Sequence, residues 1–284
     1  MTPGENEYVV TPGFEEILRV HRLDSLPALF AYQDGEPLDK PGLADWRRRF
    51  RVRLPVNGQE QVLYLKRFDR PPSSAHRELR RAGGEVRSLA GLEWTWAKRL
   101  AGDGIPCVRP VAFGEELQGR REIRSAILLA SVPGASLEKW TRDGLFEPRL
   151  RARDLLQPLA ALIARLHRCG YVHRDLYLSH IFFDPQADGD RFHLIDLQRV
   201  FKPRRMRRWI VKDLAALNAS TPPSPVTGSD RLRWLKHYVG SRKLEHGAKR
   251  LALRVIGKTQ TIMRHECRRQ RRLHGKSRPT ANDS

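Results

Sequence analysis

The chain has 284 residues, of which 40% are hydrophobic and 30% are charged, which is the composition of a folded protein with a substantial core. Lysine and arginine number 53 against 32 acidic residues, and the resulting net charge of +21 favours an anionic partner. Residues 1–41 hold eight acidic and three basic residues, so the positive charge belongs to the remainder. No apolar stretch reaches the roughly 18 residues of a membrane-spanning helix, and we therefore do not expect an integral membrane protein.

The cysteines and the first residues bear on the compartment. Cys107, Cys169 and Cys267 are odd in number, far apart in sequence and without metal-ligand spacing, so they predict a reducing compartment rather than a disulfide scaffold. The first residues lack the basic and then apolar regions of a secretory signal. We therefore expect a cytoplasmic protein.

The first part of the chain predicts a lead-in followed by a β-hairpin. Residues 1–42 are rich in glycine, proline and acidic residues, which indicates a partly ordered lead-in. Apolar and polar residues alternate over 49–54 and 61–68, on either side of an Asn-Gly pair typical of tight hairpin turns. On the second strand, Lys66 shares a face with apolar neighbours, because strand side chains alternate with a period of two.

Helical and strand patterns then follow in a definite order. We predict a helix from about Glu85 to Leu100, strands at 108–113 and 125–132, a helix over 155–166 ended by Gly170, strands at 181–183 and 192–197, and a mainly helical, basic remainder. The first half is thus mostly β with one helix, and the second half is mostly helical with a short hairpin.

The most informative segment is Tyr171–His180, YVHRDLYLSH, which is followed by the short run Leu194–Leu197, LIDL. The first piece resembles the H-R-D-x-x-x-x-N catalytic loop of protein kinases with His180 in the Asn position, and the second resembles D-F-G with Asp196 kept. The form H-R-D-x-Y-x-x-H followed by I-D-L resembles the lipopolysaccharide kinases of Gram-negative bacteria, the Kdo/WaaP family. The resemblance covers roughly residues 46–240.

The resemblance and the order of elements together imply an α+β, two-lobed protein-kinase-like fold with a small β-rich N-lobe and a larger helical C-lobe. We expect four regions. They are an acidic lead-in (1–42), an ATP-binding N-lobe (43–132), a C-lobe with the catalytic and metal loops (133–240), and a basic helical extension and tail (241–284).

The resemblance also implies ATP and Mg²⁺ as cofactors and assigns roles to three residues. Asp175 is the expected catalytic residue, which orients the acceptor hydroxyl and accepts its proton. Asp196 supplies a carboxylate to Mg²⁺ bridging the phosphates. His180 offers either a neutral nitrogen to a second metal ion or a protonated nitrogen to a phosphate of the nucleotide, and both alternatives stay open.

Lys66 matches the kinase lysine that contacts the α and β phosphates. Its partner is expected to be an acidic residue on the next helix, either Glu93, which precedes a tryptophan as in the family, or Glu85, about two turns earlier. No G-x-G-x-x-G precedes the strands, and Gly42 is the best substitute for a phosphate-covering loop.

Three further features carry expectations. Asp213 resembles the acid that braces the backbone of the catalytic loop. Shortly after Asp196 lies a basic cluster, which either binds the acceptor or forms a solvent-exposed face. The cluster consists of Lys202, Arg204, Arg205, Arg207 and Arg208. Residues 242–278 hold 13 basic and two acidic residues, which suits either an anionic membrane surface or a helix packed on the large lobe. No motif beyond charge supports a specific nucleic-acid partner.

These observations predict an ATP-dependent phosphotransferase with an alcohol group as acceptor. The resemblance implies that the acceptor is a heptose or Kdo sugar of the lipopolysaccharide inner core, reached from the cytoplasmic face of the inner membrane by a peripheral protein. Two alternatives remain at this point. One is a kinase of another small molecule or of protein, and the other is a non-catalytic basic scaffold that binds anionic lipid or nucleic acid.

Overall fold

The computed structural model describes residues 5–38, 44–56, 58–82, 86–144 and 152–276. The chain forms two compact units, the first built from Met1–Ala135 and Ile181–Lys202, and the second from Ser136–His180 and Pro203–Ser284. Strands dominate the first unit and helices the second, which confirms the predicted α+β class.

The first unit is built on an antiparallel sheet with the strand order β1-β5-β6-β4-β3-β2. Its strands are β1 (Glu5–Val10), β2 (Glu36–Pro37), β3 (Arg47–Val56), β4 (Gln59–Asp69), β5 (Pro110–Gln118) and β6 (Arg121–Ala130). Its helices are α1 (Glu15–Val20), α2 (Leu26–Ala31), α3 (Leu79–Ala82) and α4 (Leu89–Gly102). Both strands of the predicted hairpin, β3 and β4, are longer than the alternation indicated.

The acidic lead-in contributes two strands, β1 and β2, and two helices to this unit. β1 pairs antiparallel with β5, and α1 and α2 pack their buried leucines against one face of the sheet. Val52 and Leu54 of β3 and Leu63 and Leu65 of β4 belong to the same buried cluster. Because side chains alternate along a strand, Tyr64, Lys66 and the other intervening residues lie on the opposite face, where α4 packs.

A second β-hairpin completes the first unit. The strands β8 (Ile181–Phe183) and β9 (Phe192–Leu194) pair antiparallel, and they follow β7 (Ala135–Ser136) in chain order. Sequence alternation predicted the second of these strands to reach residue 197, whereas it ends at Leu194 because Asp196 takes a left-handed backbone conformation with φ 57°.

The second unit is helical. Its helices are α5 (Leu137–Arg142), α6 (Leu156–Arg168), α7 (Met206–Ser220), α8 (Gly228–Val239) and α9 (His246–Lys276). The predicted helix over 155–166 is α6, which buries its leucine face and is followed by Gly170 at φ 84°. Over the described ranges, no helix combines the length and apolar character needed to cross a membrane.

Candidate active site

Lys66 lies near the end of β4 on the face that α4 covers, and it is 9% exposed. Its Nζ donates hydrogen bonds to both carboxylate oxygens of Glu93, at 2.8 and 2.9 Å. The Glu93 carboxylate is fully buried, so its charge requires a partner within the protein. The pairing predicted between strand lysine and helix glutamate therefore forms.

The start of α4 sets the position of Glu93. We predicted that this helix begins at about Glu85, which is wrong by four residues because α4 begins at Leu89. Ser88 caps the helix, and its Oγ accepts a hydrogen bond from the backbone N–H of Gly91 at 3.0 Å. Glu85, the alternative partner of Lys66, lies outside the described residues. Glu93 therefore sits in the first turns of α4, facing the sheet.

Two buried glutamates of the sheet hold the first turn of α4. Glu122 accepts hydrogen bonds from the backbone N–H of Leu89 at 3.1 Å and from His76 Nε2 at 2.7 Å. Glu115 accepts from the hydroxyl of Ser88 at 2.5 Å, and burial raises the pKa of this carboxyl above its usual range. Carboxylates at a helix N-terminus satisfy N–H groups that lack partners inside the helix. These contacts fix where α4 begins on the sheet, and so they fix the position at which Glu93 faces Lys66.

Asp196 follows β9 and approaches the same lysine. Its Oδ1 lies 3.2 Å from Nζ of Lys66 and 3.9 Å from Nη2 of Arg47. The next residue, Leu197, donates its backbone N–H to Glu93 Oε1 at 3.4 Å. These contacts bring Lys66, Glu93 and Asp196 together. Asp196 has φ 57°, a backbone conformation that costs energy at a non-glycine residue and that is found often at functional sites.

The predicted catalytic loop lies in the second unit, where Asp213 of α7 braces it. Asp213 is fully buried and accepts hydrogen bonds from the backbone N–H groups of His173 at 2.6 Å and Arg174 at 2.7 Å. Arg174 has φ 71°, another strained position, and its guanidinium packs over the ring of Trp209. The bracing role predicted for Asp213 is confirmed.

Asp175 and His180 lie within this loop and are both partly exposed. The Nδ1 atom of His180 lies 2.8 Å from the backbone carbonyl oxygen of Asp175. A carbonyl oxygen only accepts, so Nδ1 carries a proton and Nε2 carries the lone pair of the neutral ring. Nε2 is therefore the atom through which His180 would bind a metal ion or, when protonated, donate to a phosphate.

Among the described residues, no group of three or more His, Cys, Asp or Glu side chains could hold a metal ion. Mg²⁺ bound to a nucleotide usually takes one or two protein carboxylates together with phosphates and water. The partly exposed carboxylate of Asp196 could serve as one such ligand.

The sequence did not reveal several members of these clusters. Arg47 was not singled out, and it lies two residues before the strand that alternation predicted over 49–54. His167 and Tyr238 lie behind Asp213, with His167 3.3 Å from the carboxylate and 2.7 Å from the tyrosine hydroxyl. Burial raises the pKa of Tyr238 above its usual range, so its hydroxyl stays protonated. Gly42, the predicted substitute for a glycine-rich loop, lies outside the described residues.

Replacing Asp213 with asparagine is expected to destabilise the second unit by about 1–3 kcal/mol, because the amide nitrogen cannot accept a backbone N–H and leaves it buried without a partner. Urea denaturation measures the loss. The exposed Asp143, at the end of α5, provides the matched control, since Asp143→Asn removes no buried acceptor. Equal stabilities of the two variants would contradict the bracing role.

The chain is similar to proteins of one known family. A family model described as the Lipopolysaccharide kinase (Kdo/WaaP) family matches residues 51–238. The chain is 33% identical over 158 residues to the lipopolysaccharide core heptose(I) kinase WaaP of Pseudomonas aeruginosa, covering 52% of this chain and 59% of the relative. It is 30% identical over 160 residues to the protein of the same name from Escherichia coli (strain K12), covering 53% and 60%. The aligned region thus spans about three fifths of these relatives.

A solved structure, described as WaaP in complex with acyl carrier protein, matches with a TM-score of 0.64 and 26% identity. The match covers 90% of this chain and 98% of that one, so the kinase-like fold extends over nearly the whole molecule. The family model alone covers more than half of the 284 residues, including both loops described above. The chain therefore belongs to the lipopolysaccharide kinase (Kdo/WaaP) family.

Proposed function

We propose that this protein is an ATP-dependent kinase that transfers the γ-phosphate to a sugar hydroxyl of the lipopolysaccharide inner core. The observation that carries the proposal is the buried Lys66–Glu93 pair beside Asp196. Protein kinases use a strand lysine paired with a helix glutamate, together with the acid of the metal loop, to hold the phosphates. Asp196 also has φ 57°, and backbone strain of this kind at a non-glycine residue favours a functional site over a non-catalytic scaffold.

Asp175 is proposed to orient the acceptor. Its carboxylate accepts the hydrogen bond of the sugar hydroxyl and takes the proton as the new oxygen–phosphorus bond forms. The bond between the γ-phosphorus and the bridging oxygen breaks at the same time, and ADP leaves with that electron pair. Asp213 holds the loop backbone through His173 and Arg174, so Asp175 is positioned before the substrates bind.

Mg²⁺ fits this proposal, and Asp196 would supply a carboxylate ligand to it. His180 would offer Nε2 either to a metal ion or, when protonated, to a phosphate. When bound, the ion neutralises charge on the phosphates. Lys66 then contacts the α and β phosphates, and Glu93 keeps the lysine extended toward them.

The acceptor is proposed to be a heptose, because the curated relatives are named core heptose(I) kinases. The test is transfer of labelled γ-phosphate to two acceptors, an unphosphorylated heptose-containing core and a truncated core that ends in Kdo. Phosphorylation of the first alone supports the proposal. Phosphorylation of the core that ends in Kdo would make Kdo the acceptor instead. ATP hydrolysis without transfer to either acceptor would favour a kinase of another substrate, and ATP binding without turnover would favour a non-catalytic scaffold.

We also propose acyl carrier protein as a partner, because the matched solved structure is described as a complex with it. The second unit contains an apolar cavity of about 360 Å³ whose lining residues include Leu159, Leu214, Leu217, Leu235, Val255 and Ile256. An acyl chain would bury its surface there, gaining about 0.8 kcal/mol for each buried CH₂ group. Ile256 is 49% exposed and lies at the rim.

Ile256→Glu is expected to weaken binding of acylated carrier protein about tenfold or more, because a carboxylate at the rim must be desolvated by the acyl chain. Surface plasmon resonance with acylated and unacylated carrier measures the effect. Leu253→Glu is the matched control, since Leu253 is 69% exposed on the same helix and does not line the cavity. Equal affinity for the two carrier forms would show that the cavity is not used.

The basic helix α9 is proposed to meet an anionic membrane surface, where the lipid-linked acceptor lies. α9 exposes Leu253 and Met263 together with Arg268, Arg269 and Arg271. Each basic residue near an anionic surface contributes about 1 kcal/mol. Salt screens this attraction within about 8 Å at physiological ionic strength.

Replacing Arg268, Arg269 and Arg271 with glutamine is therefore expected to lower co-sedimentation with anionic liposomes at least about tenfold at low salt. Phosphorylation of a short soluble acceptor should be unchanged. Neutral liposomes provide the control and should bind neither form. Binding that is indifferent to both salt and these substitutions would remove α9 from the proposed membrane contact.

A further inference from the structure

Strand β3 carries a row of arginines on the face that it shares with Lys66. Arg47, Arg49, Arg51 and Arg53 alternate along the strand, so their side chains leave the same face of the sheet. In the antiparallel register Arg49 lies directly opposite Lys66, and Arg47 lies opposite Phe68. The two residues at the start of the row are thus neighbours of the proposed phosphate-binding lysine.

The outer pair of this row is neutralised by acids on neighbouring segments. Arg51 donates to Glu36 at 3.0 Å, and Arg53 donates to Glu60 at 2.7 Å. These side chains belong to the far end of the hairpin, where such partially exposed pairs contribute little to stability. They explain two of the four arginines as surface ion pairs.

Arg47 has a different environment. Its Nη2 lies 3.9 Å from Asp196 Oδ1, which is longer than a direct hydrogen bond, and its guanidinium packs 5.8 Å from the Phe68 ring centroid. Its Nε atom is buried and has no hydrogen-bond partner in the described structure. A buried donor of this kind costs free energy unless a ligand satisfies it. The side chain is 22% exposed, so the outer guanidinium nitrogens remain accessible.

The groups around Asp196 also suit a phosphate. Nη2 of Arg47 lies 3.9 Å from the Asp196 carboxylate and Nζ of Lys66 lies 3.2 Å from it, so a guanidinium and an ammonium group meet at one place. Guanidinium groups offer a planar pair of donors that matches two phosphate oxygens, whereas an ammonium group acts as a point charge.

We infer that Arg47 and Arg49 bind the phosphates of the nucleotide through their side chains and do the work that backbone amides of a glycine-rich loop do elsewhere. The sequence has no G-x-G-x-x-G ahead of these strands, and Arg47 is the first residue of β3 after the connection from β2. The inference rests on the proposed function, since it assigns two more residues to the same nucleotide site.

The test is calorimetric binding of Mg-ATP and of adenosine in the absence of an acceptor. Arg47→Gln and Arg49→Gln are each expected to weaken ATP binding about tenfold to a hundredfold, the usual range for a lost hydrogen bond to a charged group. Adenosine affinity should stay within twofold, because adenosine has no phosphate. Arg53→Gln is the matched control from the same face and should leave both affinities unchanged. Arg47→Lys retains the charge and the packing on Phe68, and it should show an intermediate loss.

The outcomes separate the two claims. A parent protein that binds ATP together with arginine variants that bind it equally well would overturn this inference and leave the proposed function standing. An equal loss of ATP and adenosine affinity would mean that the substitutions deform the site, which also overturns it. A parent that binds no ATP would overturn the proposed function and this inference together.

Discussion

Asp175→Ala is expected to lower the rate of phosphate transfer by about 10²- to 10⁴-fold while leaving ATP affinity within about twofold. The carboxylate acts on the acceptor hydroxyl, whereas the nucleotide is proposed to be held by Lys66, Asp196 and their neighbours. Its removal therefore affects the chemical step and not nucleotide binding. The measurements are single-turnover transfer to the heptose acceptor and calorimetric titration with Mg-ATP.

The matched control for Asp175 is Asp188→Ala, at an exposed acid in the turn between β8 and β9. This variant should transfer phosphate at the parent rate. Undiminished turnover in Asp175→Ala would contradict the proposed mechanism, and a large loss of ATP affinity would move Asp175 from the acceptor side to the nucleotide side.

Local patterns in the sequence were sufficient for much of the first unit and for the catalytic loop of the second. Period-two alternation put Lys66 among apolar neighbours on a strand, and the structure places it on the face covered by α4. The order of the loop around Asp175 and the hairpin before Asp196 was also readable, because both are short and bounded by strands or turns. These features depend on residues close together in the chain.

Features that depend on distant residues were not predictable in this way. The start of α4 was placed at about Glu85, but Glu115 and Glu122, from strands about 30 residues later, help to fix it at Leu89. The pairing of β1 with β5 joins segments about 100 residues apart, so the lead-in gave no local sign of its strand partner. Long-range pairing of this kind is decided by packing and not by propensity.

The residues that hold the catalytic loop in place were also only partly predictable from the sequence. Asp213 could be matched to a bracing acid, but its contact with His167 and the contact of His167 with Tyr238 bring together α6, α7 and α8. Helical periodicity predicts which face of each helix is buried without predicting which polar residues meet there. The catalytic, nucleotide and metal roles of Asp175, Lys66, Glu93, His180 and Asp196 stay predictions, because they depend on bound substrates.

The final prediction concerns the buried pair in the first unit. Lys66→Met is expected to destabilise the unit by about 3–5 kcal/mol, because it leaves the fully buried Glu93 carboxylate without its cation. Glu93→Gln should cost less, because Lys66 keeps Asp196 as a partner at 3.2 Å. Both variants should lower kcat/KM strongly, since each misplaces the lysine or removes it. The double variant should lose much less than the sum of the two, since the second change removes a charge that is already unpaired. Urea denaturation and ATP-dependent transfer, measured on all four proteins, give the two coupling energies.

The exposed pair Arg53–Glu60, on the hairpin formed by β3 and β4, provides the matched cycle. Its side chains are about half exposed, so the coupling should be only about 0.2–1 kcal/mol, with no effect on transfer. Additive losses at Lys66 and Glu93 would mean that the two residues act independently. In that case the lysine would depend on Asp196, 3.2 Å away, rather than on the helix glutamate for its position.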